Sequence, residues 1–163
     1  MLKQLSALAI AASLMATPAF AQNASQIAKA KSGKSCAGCN LFQADFSYTD
    51  AAGMDFSKSR LRQANLALTT FDDVNFSKSN LSVANLFGAR FNRCDLSQAD
   101  LTNASAVGAY FGSSNLKGAK LAGTNVSGAD LSVARGLTQK QLDQACGDRA
   151  TKLPKGLRIP ACR

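Results

Sequence analysis

The chain has 163 residues, with 19 Lys plus Arg against 10 acidic residues and a formal charge of +9 at pH 7. It contains no His and no Trp. The absence of His excludes a Ser-His-Asp triad, a Cys-His nucleophile pair and the side chain that proteins use most often to bind metals. The length suits one domain with a core of its own.

The first 21 residues predict a secretory signal peptide. Lys3 precedes an apolar run from Leu5 to Ala16, and Ala19-Phe20-Ala21 then has the small-x-small pattern of a cleavage site. The run is about a dozen residues long, whereas roughly 20 are needed to span a bilayer, which argues against a membrane anchor. We therefore expect export to the periplasm and a mature chain that starts at Gln22 and has no transmembrane segment.

Residues 22–35 form a polar N-terminal arm with three lysines. Such a segment predicts either a short helix or a disordered arm. It could cap the open end of the structure that follows, since an exposed strand edge needs protection.

A period of five residues runs through residues 36–135. Every fifth residue from Leu41 to Leu131 is apolar, and most of these residues are Leu or Phe. Alanine predominates two residues before each of them, and Asp or Asn often stands directly before them. A period of five fits neither a helix nor a single strand, whose periods are about 3.6 and 2.

Each unit is best explained as a short extended segment followed by a turn. Two apolar positions spaced two apart fit one extended segment, and the next two residues must then turn the chain. Glycine recurs at the second turn position, where a type II turn needs positive φ, as at Gly38, Gly88 and Gly108. Four such turns close a square coil of 20 residues, and successive coils stack about 4.8 Å apart.

Stacking with a period of 20 residues predicts uniform columns in the interior. One side would carry a column of leucines, and another would carry Phe71, Phe91 and Phe111. The leucine column comprises Leu41, Leu61, Leu81, Leu101 and Leu121.

Units such as Ala64-Asn65-Leu66, Ala84-Asn85-Leu86 and Ala99-Asp100-Leu101 resemble the pentapeptide-repeat family. The segment from Leu137 to Asp148 is similar to the tails of exported bacterial members of that family. The resemblance implies an all-β fold, a right-handed quadrilateral β-helix of about five coils of 20 residues. It says little about activity, because members of one fold family do different things. Some members imitate acidic DNA and act on topoisomerases. The net positive charge and the predicted export argue against that role here.

Residues 136–163 predict a C-terminal cap and tail. Thr138-Gln139-Lys140-Gln141 has the form of a capping box, and Gly147 suits a helix end. The expected helix covers residues 138–146 and closes the last coil.

The five cysteines predict two structural disulfides and one buried thiol. Cys146 and Cys162 would pin the tail to the cap, and Cys36 and Cys39 would join the two ends of one turn. The alternative for Cys36 and Cys39 is a thiol-redox pair. Cys94 occupies a small inward position, where an inert thiol is expected.

Two outward-facing surfaces are candidates for binding. An apolar surface would contain turn residues from several units, and a basic surface would contain stacked and neighbouring cations. The apolar candidates are Phe42, Tyr48, Leu68, Phe87 and Val107, and the alternative is that the N-terminal arm folds over them. The basic candidates are Lys58, Arg60, Arg62 and Lys78.

These features predict a non-catalytic structural or interaction protein without metal or cofactor. Its rigid surface would meet a protein or another component of the cell envelope, with the apolar residues at the contact. The alternative is binding of anionic polymers or a membrane surface through the basic residues. A thiol-redox enzyme based on Cys36 and Cys39 is the third hypothesis.

Overall fold

A computed structural model describes residues 22–163, and the predicted signal peptide lies outside these residues. The regular elements of this part of the chain are two helices and three short strands. They are α1 (Ala24–Lys31), β1 (Asp50–Ala52), β2 (Thr70–Asp72), β3 (Arg90–Asn92) and α2 (Gln139–Leu142). No helix within the described part of the chain is long and apolar enough to cross a membrane.

Parallel backbone pairing with a period of 20 residues organises the molecule. β2 lies between β1 and β3 in one parallel sheet, and Ala51, Phe71 and Phe91 share a register. Single parallel bridges repeat the same spacing on the other three sides, as in Asn40 with Arg60 and Asp45 with Asn65. The chain is therefore a four-sided β-solenoid, as the five-residue period predicts.

The turns between sides use positive φ with or without glycine. Gly38 has φ of 68°, but Gln43 and Lys58 hold the same turn position with φ of 54° and 56°. Among residues 22–163, twelve residues other than glycine have positive φ. The sequence therefore marks only some of these turns through glycine, because the hydrogen bonds of the stack hold other residues in the same conformation.

The Asp or Asn before each central Leu or Phe supports the following turn. Asp45 Oδ1 accepts hydrogen bonds from the backbone N–H and the hydroxyl of Ser47, at 3.0 and 2.7 Å. These two bonds lower the pKa of Asp45. Asn75 makes the same backbone bond to Ser77 at 2.9 Å. Short acceptors of this kind stabilise turns, which explains why Asp and Asn recur at this position.

Two of the interior columns contain long runs of one residue type. All five leucines of the predicted column are buried. The rings of Phe71 and Phe91 stack with centroids 5.3 Å apart, and Phe111 continues the stack 5.1 Å from Phe91. Near-parallel rings at these distances add to the free energy of simple burial.

Buried hydroxyls bond to the backbone of the preceding coil. Ser59 Oγ donates to the carbonyl of Cys36 at 2.7 Å, and Thr69 Oγ1 donates to that of Phe46 at 2.8 Å. Within residues 22–163, every buried side-chain nitrogen and oxygen has a hydrogen-bond partner. The small inward position therefore accepts Ser and Thr in place of Ala without leaving a polar group unpaired.

Helix α1 covers the N-terminal end of the solenoid. Ala30 is buried and Ile27 packs against the core. No coil precedes the first one. Side-chain oxygens therefore accept some of the backbone hydrogen bonds that the carbonyls of a preceding coil would accept. Gln26 Oε1 accepts from the N–H of Asn40, and Ser35 Oγ accepts from the N–H of Asp55. The arm is thus a helical cap.

The C-terminal helix is shorter than the predicted range 138–146. It spans Gln139–Leu142 and begins with the predicted capping box, in which Thr138 and Gln141 bond to each other. The helix ends early because the last coil needs an extended partner. Val126 N donates to the carbonyl of Cys146, and Leu131 N donates to that of Lys152, both at 2.8 Å.

We expect Phe91→Ala to lower the free energy of unfolding by about 3–5 kcal/mol, because it opens a cavity in the ring stack. Urea denaturation followed by circular dichroism measures the change. Val133→Ala is the control, since this exposed side chain should contribute within about 0.5 kcal/mol. Equal losses in the two variants would show that the stacked rings are not a main source of stability.

Candidate interaction surfaces

Three large apolar side chains are exposed together on one edge of the solenoid. Tyr48, Leu68 and Phe87 are 78%, 43% and 50% exposed. They belong to the same turn in successive coils, and we call them the apolar corner. A methyl group added to Gly88 would lie 2.7 Å from Leu68 Cδ2, so the Leu68 side chain covers the residue that follows Phe87.

The remaining apolar candidates contribute less to this corner. Val107 lies at the same turn one coil beyond Phe87 but is half-buried. Phe42 is half-buried at the preceding turn and does not extend the corner. Val83 and Val133 are also exposed and were not among the candidates. Both hold the second turn position of their units, and this position could have predicted their exposure. Each lies at a different turn from the apolar corner and so does not extend it.

The N-terminal arm lies across the end of the solenoid and leaves the apolar corner exposed. Gln22 Nε2 donates to the carbonyl of Gln43 at 3.2 Å, and α1 continues over the first coil. Its C-terminal turn borders Phe46 and Ala51 at that end. The exposure of Tyr48 shows that the arm does not cover it.

Lys58 and Lys78 occupy a different edge, and we call these two lysines together with Arg60 and Arg62 of the adjoining side the basic corner. Lys58 and Lys78 are exposed at the same turn of adjacent coils. The backbone N–H of Lys58 donates to the carbonyl of Ser77 at 2.9 Å, which sets their spacing. Arg60 and Arg62 flank the next side, where Arg62 is half-buried.

The two corners are diagonally opposite. Each coil has four turns, and the turn with Lys58 comes two turns after the one with Tyr48. One flat partner therefore cannot contact both corners at once. Substitutions can test the two surfaces separately.

The adjacent acids Asp72 and Asp73 are held by neighbours in the next coil. Asp73 accepts two hydrogen bonds from Arg93, at 2.8 and 2.7 Å, and these lower its pKa. Asp72 Oδ1 accepts from Asn92 Nδ2 at 2.8 Å. In the described chain, no three His, Cys, Asp or Glu side chains are grouped as a metal site.

Four cysteines form disulfides and the fifth is a buried thiol. The bonds join Cys36 to Cys39 and Cys146 to Cys162. The first pair is only 1% and 7% exposed, and Cys36 Sγ lies 3.7 Å from the carbonyl of Gln26 in α1. A redox pair must be accessible to its substrate, so this burial favours the structural role. Burial also raises the pKa of Cys94 to about 11.

The parallel backbone pairing, the turns and the stacked core define a β-solenoid protein built from five-residue units. Its variable side chains lie at the turns. The sequence profile of pentapeptide repeats matches residues 39–77, 55–93, 64–103 and 94–132, with eight copies. The chain therefore belongs to the pentapeptide repeat family.

Solved structures with the same repeats are similar to this chain. Rfr23, from the cyanobacterium Cyanothece 51142, is 24% identical, and the match covers 80% of this chain and 98% of Rfr23 with a TM-score of 0.54. The Nostoc PCC 7120 protein alr5209 is 23% identical over 81% of this chain and 95% of its own, with a TM-score of 0.46. The likeness to Rfr23 concerns the fold. The comparison with curated proteins found no match.

We expect mild dithiothreitol to reduce Cys146–Cys162 before Cys36–Cys39, because Cys146 and Cys162 are half-buried whereas α1 covers the other pair. Alkylation followed by mass spectrometry gives both rates in one molecule. Gln26→Ala should accelerate reduction of Cys36–Cys39 alone. Faster reduction of Cys36–Cys39 in the unaltered protein would favour the redox hypothesis. Cys94 should react only after unfolding.

Proposed function

We propose that the protein is a non-catalytic interaction protein that is exported to the periplasm. It presents the apolar corner of a right-handed, four-sided β-solenoid of about five coils to a protein partner in the cell envelope. The exposure of Tyr48, Leu68 and Phe87 at one edge is the observation that carries this proposal.

The energetics of the fold support a role for this corner. The turn positions accept polar residues: Gln43, Lys58 and Gln98 hold the place of Tyr48 and Leu68, and Ser77 and Ser97 hold that of Phe87. Large apolar side chains are therefore not required there by the fold. Burying them against a partner would contribute about 1.5–3 kcal/mol for each fully covered side chain.

Rigidity supports the same proposal. The corner residues stand on backbone that bonds to the next coil, as when Leu68 N donates to the carbonyl of Phe87 at 2.8 Å. A surface that is already ordered loses little conformational entropy on binding. Clustered aromatic and aliphatic side chains on such a surface are typical of the energetic centre of an interface.

Export is supported by the two disulfides, because such bonds persist in oxidising compartments. Edman sequencing of the protein from a periplasmic fraction tests it. We expect the mature chain to begin at Gln22, after cleavage behind Ala21. Recovery of an uncleaved chain in the cytoplasm would contradict export.

Affinity capture from an envelope extract tests the apolar corner. We expect a partner that stays bound in high salt and is lost with Phe87→Asp, because a carboxylate at this place would be buried without a counter-ion. Mass spectrometry identifies the partner, and binding to the purified partner is then measured directly.

Val133→Asp is the matched control, since Val133 is 51% exposed at another turn. It should keep the partner bound. Retention of the partner by Phe87→Asp would refute the role of the apolar corner. Loss with both variants would show that added charge, and not this corner, affects capture.

A further inference from the structure

The stack of Lys58 on Lys78 departs from the charge pattern of the rest of the solenoid. The two lysines hold one turn position in adjacent coils, and adjacent coils lie about 4.8 Å apart. Within residues 22–163, neither ammonium group has a carboxylate within 4.0 Å. Like charges directly opposite each other on paired strands reduce stability.

Three other cations of the solenoid have an acidic neighbour in the adjacent coil, whereas Arg90 lies over the ring of Tyr110. Arg93 bonds to Asp73 at 2.7 Å. Lys120 lies 3.9 Å from Asp100, and Lys152 lies 3.4 Å from Asp130. At the basic corner, the residue one coil from Lys58 is a second lysine.

The surroundings increase the positive charge at this corner. Residues 56–71 contain Lys58, Arg60 and Arg62 and no acidic residue, and the preceding Asp55 accepts a hydrogen bond from the N–H of Ser57 at 2.8 Å. Ser57 and Ser77 precede the two lysines at the same turn, and their hydroxyls are of the kind that donate to anions. The fold does not require lysine here, because Gln98 holds the same position in the next coil.

We propose that the basic corner binds a linear acidic polymer that runs along the solenoid axis. Its anionic groups would neutralise the stacked lysines in turn, and the two arginines would contact it from the side. A charged side chain that costs stability and is not needed by the fold is typical of a binding function. This binding is independent of the proposed function, since it uses the opposite corner.

The geometry favours a polymer over a membrane. The lysines lie on an edge between two sides, so a flat bilayer would meet only this edge. The apolar corner, where Tyr48, Leu68 and Phe87 could enter a bilayer, lies diagonally opposite. An extended chain can follow the edge from one coil to the next.

The test compares the unaltered protein with the double variant Lys58→Gln and Lys78→Gln, using polygalacturonate as the probe at low salt. We expect the double variant to weaken binding at least about tenfold and to flatten the salt dependence, because fewer counter-ions are released. The control is Lys140→Gln with Lys155→Gln, which removes the same charge from exposed positions in helix α2 and the tail. It should change the affinity less than about twofold.

Thermal unfolding provides a second readout. The double variant should be at least as stable as the unaltered protein, because a repulsive pair is removed and glutamine already fills this turn position in the next coil. Equal weakening by the double variant and the control would overturn the proposal, since net charge alone would then explain binding. Binding to phosphatidylglycerol vesicles, with none to polygalacturonate, would overturn it in favour of a membrane surface.

Discussion

The hydrogen-bonded register between residues 20 apart is the constraint on which the rest of this structure depends. It aligns Ala51 with Phe71 and Phe91, and it repeats on all four sides. Once that register is set, side chains 20 residues apart must stack on one another. Large residues fill the interior, and a small residue must stand beside them so that neighbouring sides can meet.

The same register explains where the chain can vary. A turn residue such as Lys58 or Leu68 has its backbone held by the adjacent coil while its side chain points away from the core. The fold therefore tolerates Gln, Lys, Leu, Tyr or Gly at one position, including residues other than glycine with positive φ. The features that distinguish this protein are concentrated in those side chains, which are apolar at one corner and basic at the opposite corner.

The first and last coils each have backbone groups with no adjacent coil to pair with, and the two ends of the solenoid satisfy these groups in different ways. At the N-terminus, side chains of Gln26 and Ser35 accept from backbone groups that a preceding coil would otherwise satisfy. At the C-terminus, a short helix gives way to extended segments that pair with the last coil. The two disulfides lie in these end regions, where few coils contribute to stability. The cysteines therefore secure the ends of a stack whose middle needs no cross-link.

Much of this protein follows from its sequence alone, because a strict five-residue period allows few backbone paths. The period determined the solenoid, the leucine and phenylalanine columns, and the outward positions of Tyr48, Phe87 and Lys58. The tertiary structure alone decided which of those positions are fully exposed, that α1 covers the end of the stack, and that the C-terminal helix stops at Leu142. The reason is physical. Period and turn chemistry are local properties of each unit, whereas exposure and the ends depend on which distant segment satisfies an open edge.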